Sequence, residues 1–264
     1  STATPMAAGA TALVVSAAKQ SGVRYDASSL KAAVTGSARQ IPHLAAHEQS
    51  NGLIQVAPAF ELLKKLERAQ PITIESRAPV RTMLSHLLLT PHQGVGLLER
   101  EGWSVGDRNE RTIVLTRTSG PADPMDFDLG WIGTAGTFES PSSVTLPLDT
   151  PVAVPVTVTA ETEGAHTAIL SIDHPTIPGY VHRVMAAIVV PHRFTADNGY
   201  TVTTEVKPPL PGDEGVFVEI PPGVAAMRFS SSVPKARLRL ISPERDMVHP
   251  CPYSLEGLTE PCAI

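Results

Sequence analysis

The chain has 264 residues, 42% of them hydrophobic and 18% charged, with a formal net charge of −5. That composition fits one large folded domain or two or three modest ones and excludes overall disorder. The basic residues are scattered and aromatics make up only 5%, which argues against a nucleic-acid surface.

The opening stretch STATPMAAGATALVVSAA predicts a helix over 4–20. Thr4 reads as its N-cap and Pro5 as the first helical residue, where a missing N–H costs nothing. Lys19 suits the negative end of the macrodipole, and Ser21-Gly22 is a stop signal. Small or apolar residues cover nearly every face, the pattern of a helix buried all round. Lys19 interrupts the apolar run before it reaches the length of a membrane span, and the positive n-region of a signal peptide is missing.

A second helix is predicted over 27–39, capped by Asp26 or Ser28. Leu30, Ala33, Val34 and Ala38 form its apolar face, with Arg39 in the last turn. A loop around Pro42, a turn at Asn51-Gly52 and a short strand over 53–56 follow. A third helix over 57–68 turns Ala59, Leu62, Leu63 and Leu66 inward, and Lys64, Lys65 and Glu67 outward.

Past Pro71 the texture changes to short strands between Pro, Gly, Asp and Asn turns. They are predicted over 72–76, 95–99, 111–118, 144–148, 152–159, 166–172, 184–190, 200–206, 216–220, 225–230 and 236–241, the pattern of β-sandwich modules. Asp197-Asn198-Gly199 reads as a hairpin turn or an inter-domain joint. Trp103, Trp131 and Phe217 are expected in sandwich cores.

Few residues offer chemistry by spacing alone. His43 and His47 stand at i and i+4 but lack a third ligand or a catalytic Glu, so a loop or helix-surface role is expected. Asp123, Asp126 and Asp128 lack the glycine and terminal Glu of a calcium loop and read as a solvated loop. Cys251 and Cys262 fit either a local disulfide or two free thiols.

Two segments carry a resemblance. Ser1, Ala3, Thr4, Pro5 and Gly9, in the pattern Ser-x-Ala-Thr-Pro-x-x-x-Gly, resemble the nucleophile segment of subtilisin-like serine peptidases. QSNGLIQVAPAFELL, residues 49–63, resembles the segment that closes their catalytic domains, with Ser50 where the family has its first glycine. The wording Gly-Leu-Ile-Gln-Val is closest to the tripeptidyl-peptidase branch, and SSLKAAVTGSA, 28–38, takes the place of the helix between the two segments. Residues 94–100, Gly164-Ala165-His166 with Val189-Val190-Pro191, and 215–223 are similar to later parts of that branch.

The resemblance implies an α/β subtilisin-like catalytic domain represented by its C-terminal helices only, over 1–70. An immunoglobulin-like β-sandwich over 71–195 and a galactose-binding-like β-sandwich over 196–264, expected to be incomplete, would follow. It implies a serine peptidase with Ser1 as nucleophile in an Asp-His-Ser triad. The subtilisin-type order places the Asp and His before the Ser, so this chain is expected to be a fragment, inactive alone. No cofactor or metal is needed for that chemistry. The expected partners are a peptide or protein substrate and further copies of the parent protein, with no nucleic acid and no membrane. The setting implied leans cytoplasmic rather than secreted. The rival reading is a non-catalytic adhesion or interaction protein of immunoglobulin-like modules, with 1–67 as a helical cap.

Overall fold

The computed structural model describes residues 2–42, 44–69, 72–133, 136–205 and 215–228, and the backbone of 262–263. Its first third is helical. Helix α1 (Ala3–Ser21) starts from Thr2, not from the predicted cap Thr4, and Thr2 makes no side-chain capping bond. Pro5 therefore sits within the first turn, where amides lack intrahelical partners in any case. Gly22 ends the helix in the left-handed region (φ 69°), as its sequence predicts.

Helix α2 (Ala27–Gly36) is set by Asp26, whose carboxylate accepts the Ser29 N–H at 2.7 Å while Asp26 N–H reaches back to Ser29 Oγ at 2.9 Å. The Ser29 backbone and hydroxyl donors hold the Asp26 carboxyl below the usual carboxylate range. The helix stops at Gly36, short of the predicted 39. Arg39 instead exchanges backbone hydrogen bonds with Leu53 at 2.9 and 2.8 Å, and this isolated bridge replaces the predicted strand over 53–56. A short helix, α3 (Ala46–Gln49), was not predicted; Glu48 starts it by accepting the Ala45 N–H at 2.7 Å. Helix α4 (Val56–Leu66) follows as expected.

Val14 and Ala18 of α1, Ala33 and Val34 of α2, and Ala59 and Leu63 of α4 form one buried cluster. Burial of α1 on every side is not found within this chain. Only Val14 and Ala18 are buried, while Met6 is 71% and Leu13 60% exposed. No helix among the described residues is long and apolar enough to cross a membrane.

The rest is a large curled sheet of ten strands. Strands β1 (Ile74–Arg81), β4 (Arg108–Arg117), β8 (Pro151–Thr159) and β6 (Phe138–Glu139) make one wall. Strands β3 (Leu97–Glu99), β10 (His182–Val190), β9 (Gly164–Asp173), β5 (Met125–Gly133) and β7 (Ser143–Leu146) make the other. Strand β1 joins them. Its first half pairs antiparallel with β4 (Ile74 opposite Arg117), its middle with β2 (Gln93–Gly94), and its end parallel with β3 (Val80 opposite Leu98). Pro79, opposite Gln93, lies at the changeover and has no N–H to donate.

Inward side chains alternate along each strand, as a half-buried strand requires. Ile113 and Leu115 of β4, Val154, Val156 and Val158 of β8, Ala168, Leu170 and Ile172 of β9, and Val184, Ala186 and Ile188 of β10 belong to one core. Asp123 lies exposed in the turn before β5, as expected, whereas strand β5 corrects the loop reading of Asp126 and Asp128. Phe127 and Leu129 are buried and Asp126 and Asp128 face solvent, so the run alternates with period 2. Trp103 is in the core as expected, Trp131 packs against it and stacks on Phe138, and Phe217 lies outside it, half-buried.

Two charged residues are buried here. Glu99 takes the Arg111 guanidinium in a fork (2.6 and 2.9 Å) and the Trp103 indole N–H at 2.8 Å. Arg117, with no exposure, donates to the carbonyl oxygens of Leu146, Ser119, Pro121 and Asp123 at 2.6–3.0 Å. It ties the 119–123 turn and the end of β7 to β4.

Beyond β10 the described residues hold two-residue pairings: β11 (His192–Arg193) parallel with β12 (Val218–Glu219), and β13 (Ala226–Met227) antiparallel with β14 (Cys262–Ala263). Residues 200–205 form no strand, against the prediction, and 197–199 is a turn closed by Gly199 N–H on Ala196 O. The predicted strand 236–241 and Cys251 lie outside the described residues.

Replacing Arg117 by Met removes the donors to four carbonyls without emptying the volume. It should lower stability by about 3 kcal/mol, seen as a lower urea midpoint at unchanged slope. A loss under about 0.5 kcal/mol would show the carbonyls need no donor.

Candidate functional site

The sequence places the candidate chemistry at the N-terminus of α1. Ser1 itself lies outside the described residues, so the site is defined by what surrounds it. Thr2 has helical backbone angles (φ −69°, ψ −34°), its side chain caps nothing, and no acidic residue stands in the first turn. The amides of Ala3 and Thr4 and the positive end of the macrodipole therefore face outward uncompensated by a carboxylate. A group at residue 1 that develops negative charge would be favoured there.

An apolar groove of about 330 Å3 runs between α1 and α2, lined by Thr11, Ala27, Leu30, Lys31, Val34 and Thr35. It lies more than two turns from Thr2 and carries no group suited to bond cleavage.

Two other serines sit beside histidines. Ser85 Oγ is 2.8 Å from His92 Nδ1, and Ser76 Oγ is 3.0 Å from His182 Nε2. Neither pair is a nucleophile and base. Ser85 Oγ donates to Thr82 O and Ser76 Oγ to Val95 O, each at 2.7 Å. A hydroxyl has one proton to give, so in each pair the facing imidazole nitrogen must carry an N–H and donate to the serine. A nitrogen that already holds a proton cannot take another.

Among the described residues the approach of a histidine to a carboxylate is that of His192 Nδ1 to Glu163 Oε1, at 3.9 Å. No Asp-His-Ser cluster is formed among them, and no group of three or more His, Cys, Asp or Glu is placed to hold a metal. His47 of the HLAAH pair is on α3, where its backbone N–H and Nδ1 both meet Thr167 Oγ1 (3.4 and 3.1 Å); His43 lies outside the described residues.

The segment 49–63 shows what its departure from the family pattern does. Ser50 stands where the pattern has glycine, and its backbone is at φ 52°, ψ −117°. A side chain is strained there and glycine is not. The turn has kept the glycine geometry without the glycine. Gly52, at φ 101°, is required outright, because a Cβ would come within 2.4 Å of Arg39 O. Other quoted segments also meet: Gly164, Ala165 and His166 pair across the ladder with Val190, Val189 and Ile188.

Residues 75–190 match the family described as an Ig-like domain in actinomycete serine proteases. The chain is similar in fold to the crystal structure of tripeptidyl peptidase 2, with a TM-score of 0.55 and 19% identity over 71% of this chain. It spans 15% of the length of that protein. A FixG-related protein from Vibrio parahaemolyticus matches 46% of this chain and 98% of its own, at 7% identity and a TM-score of 0.30. No curated protein matches the sequence. These findings establish an immunoglobulin-like domain and a fold-level likeness to a peptidase.

Two outcomes follow from this geometry. Ser50→Gly should raise stability by about 1 kcal/mol in thermal or urea unfolding, and a loss instead would show that the Ser50 side chain matters more than its backbone. A fluorophosphonate probe should leave Ser76 and Ser85 unmodified in peptide mapping; labelling of either would overturn the assignment of the imidazole protons.

Proposed function

We propose that this chain supplies the nucleophile-bearing helices and the immunoglobulin-like module of a subtilisin-like serine peptidase, of the tripeptidyl-peptidase kind. The observation that carries the reading is the Ser1–Gly9 motif, whose residues from Ala3 onward open a 19-residue apolar helix. The apolar side chains that α1 leaves exposed support it, because a helix of this composition is at home only with its faces covered. The Ig-like match and the fold likeness to tripeptidyl peptidase 2 point the same way.

On this reading Ser1 Oγ attacks the scissile carbonyl of a peptide, and a His earlier in the parent chain takes its proton. An Asp, earlier still, orients that imidazole. The free amides and positive dipole end of α1 stabilise the charge that develops at the serine. No metal or organic cofactor takes part. The organisation proposed is 1–70 for the peptidase portion, 71–195 for the immunoglobulin-like sandwich and 196–264 for a galactose-binding-like module. The parent enzyme is proposed to be an intracellular homo-oligomer.

The test compares the 264-residue chain with the longest natural protein that contains it. The longer protein should be labelled by a fluorophosphonate at Ser1, and Ser1→Ala should lower kcat by roughly a million-fold. The 264-residue chain should show neither labelling nor hydrolysis. Undiminished activity in the Ser1→Ala protein would overturn the reading.

A further inference from the structure

One stretch of the sandwich keeps its apolar side chains outside. The loop from β1 to β2, residues 82–92, reads Thr-Met-Leu-Ser-His-Leu-Leu-Leu-Thr-Pro-His. Leu89 is fully exposed, Leu87 is 71% and Met83 52% exposed, and Leu84 and Leu88 are 43% and 39% exposed. A single surface leucine needs no account, but five large apolar side chains on one loop make a patch. The patch is also uncharged: from Thr82 to Leu98 the sequence has no Asp, Glu, Lys or Arg.

Hydrogen bonds fix the shape of the loop, and Ser85, 2% exposed, is their hub. Its backbone N–H and its Oγ both donate to Thr82 O, at 3.0 and 2.7 Å. His92 donates to it twice, from Nδ1 to Ser85 Oγ at 2.8 Å and from its backbone N–H to Ser85 O at 2.9 Å. The Leu87 N–H closes a 3-10 turn on Leu84 O at 3.0 Å, and His86 Nδ1 meets Met83 O at 3.0 Å. Residues three apart eclipse in such a turn, so Leu84 and Leu87 stand in one column beside the inward Ser85. The Ser85–His92 pair, which has no part in bond cleavage, thus holds the apolar tip in position. A surface ordered in advance loses less entropy when it is covered.

We propose that this loop is the surface through which two copies of the chain pair about a twofold axis. In a twofold contact each patch meets its own copy, so like charges would face one another. The loop has none to oppose. At its foot the exposed charges are of both signs, Arg81 and Arg100 beside Glu101, so the rim of one copy can pair with the rim of the other. The area is also of the right size. The five side chains expose roughly 400 Å2 of apolar surface. Homodimer interfaces are about 65% apolar, so such a core belongs to an interface of roughly 1,200 Å2 in total, the lower end for a specific complex. A lipid surface fits the loop less well, because segments that lie in a membrane interface carry Lys and Arg, and 82–98 has neither. The pairing rests on this loop and stands independently of the peptidase reading; it gives the proposed homo-oligomer one of its contacts.

Sedimentation velocity of the chain between about 1 and about 200 μM tests it. A monomer–dimer equilibrium is expected, with a dissociation constant on the order of 10 μM. Leu87→Asp with Leu89→Asp should leave only monomer at an unchanged urea midpoint, and Leu89→Ala should weaken the dimer about tenfold. Leu13→Asp, on the exposed side of α1, should leave the dimer intact. The longest natural protein that contains this chain should lose one association step in the double variant. A chain monomeric throughout, a dimer that survives the double variant, or an unchanged mass of the longer protein would overturn the pairing. A dimer lost in Leu13→Asp would move the contact to α1 and overturn it too. So would a monomer that co-sediments with phosphatidylcholine–phosphatidylserine vesicles, which would give the loop to a lipid surface. Should the double variant fail to fold, hydrogen exchange of the unaltered chain decides: protection of 82–92 that rises with concentration upholds the pairing, and protection that does not overturns it.

Discussion

Strand β1 serves two hydrogen-bonding partners in succession, and the arrangement of the sandwich depends on that division. Ile74–Arg77 belong to the wall of β4, β8 and β6, while Val80 and Arg81 belong to that of β3, β10, β9, β5 and β7. Between them Ala78 and Pro79 pair with β2, and the two walls are tied covalently at one corner. The same division sets Ser76 beside His182 of β10. The outer faces of β9 and β10 then become the platform for α3 and the residues after it. That is why Thr167, Ile169 and Ser171 are buried although they point away from the sandwich core.

Polar burial follows from this geometry. Where the strands end, backbone carbonyls converge that no strand can satisfy, and Arg117 answers four of them with one planar cation. Glu99, at the end of the short strand β3, is buried only because Arg111 and Trp103 complete its hydrogen bonds. Between helices and sandwich, Tyr180 Oη is bonded to Thr35 Oγ1 and Arg183 donates to Asn51 Oδ1.

Local signals were the legible ones. Asp26 before α2, Gly22 after Lys19 and the spacing of Ala59, Leu62, Leu63 and Leu66 each act within a few residues, and they mark the start of α2, the end of α1 and the buried face of α4. The misreadings have physical causes. Met125-Asp126-Phe127-Asp128-Leu129 passed for a loop because its aspartates outweighed an alternation that is plain once the inward residues are marked. Arg39 left its helix because pairing with Leu53 satisfied its backbone, a contact across a loop that helical periodicity does not show. Ser50 carried a usable signal, since its place in a glycine-bearing pattern pointed to the positive φ that the structure shows. In the candidate site, Ser1 is nominated by its motif together with the helix at 28–38 and the segment 49–63. The proximity of Ser76 to His182 and of Ser85 to His92 was not nominated, and the accounting of hydroxyl protons removes both from the chemistry.

By itself the sequence determined the helical first third, the β-rich remainder, the caps that start and stop the helices, and the motif that singles out Ser1. These depend on backbone preference and side-chain spacing, which act over one or two turns. Only the tertiary structure decided which strands share a wall, which charged groups go inside, and that Thr35 meets Tyr180, Asn51 meets Arg183 and Ser76 meets His182. Those outcomes are contacts between residues up to 145 positions apart, and they are settled by which surfaces can be buried together.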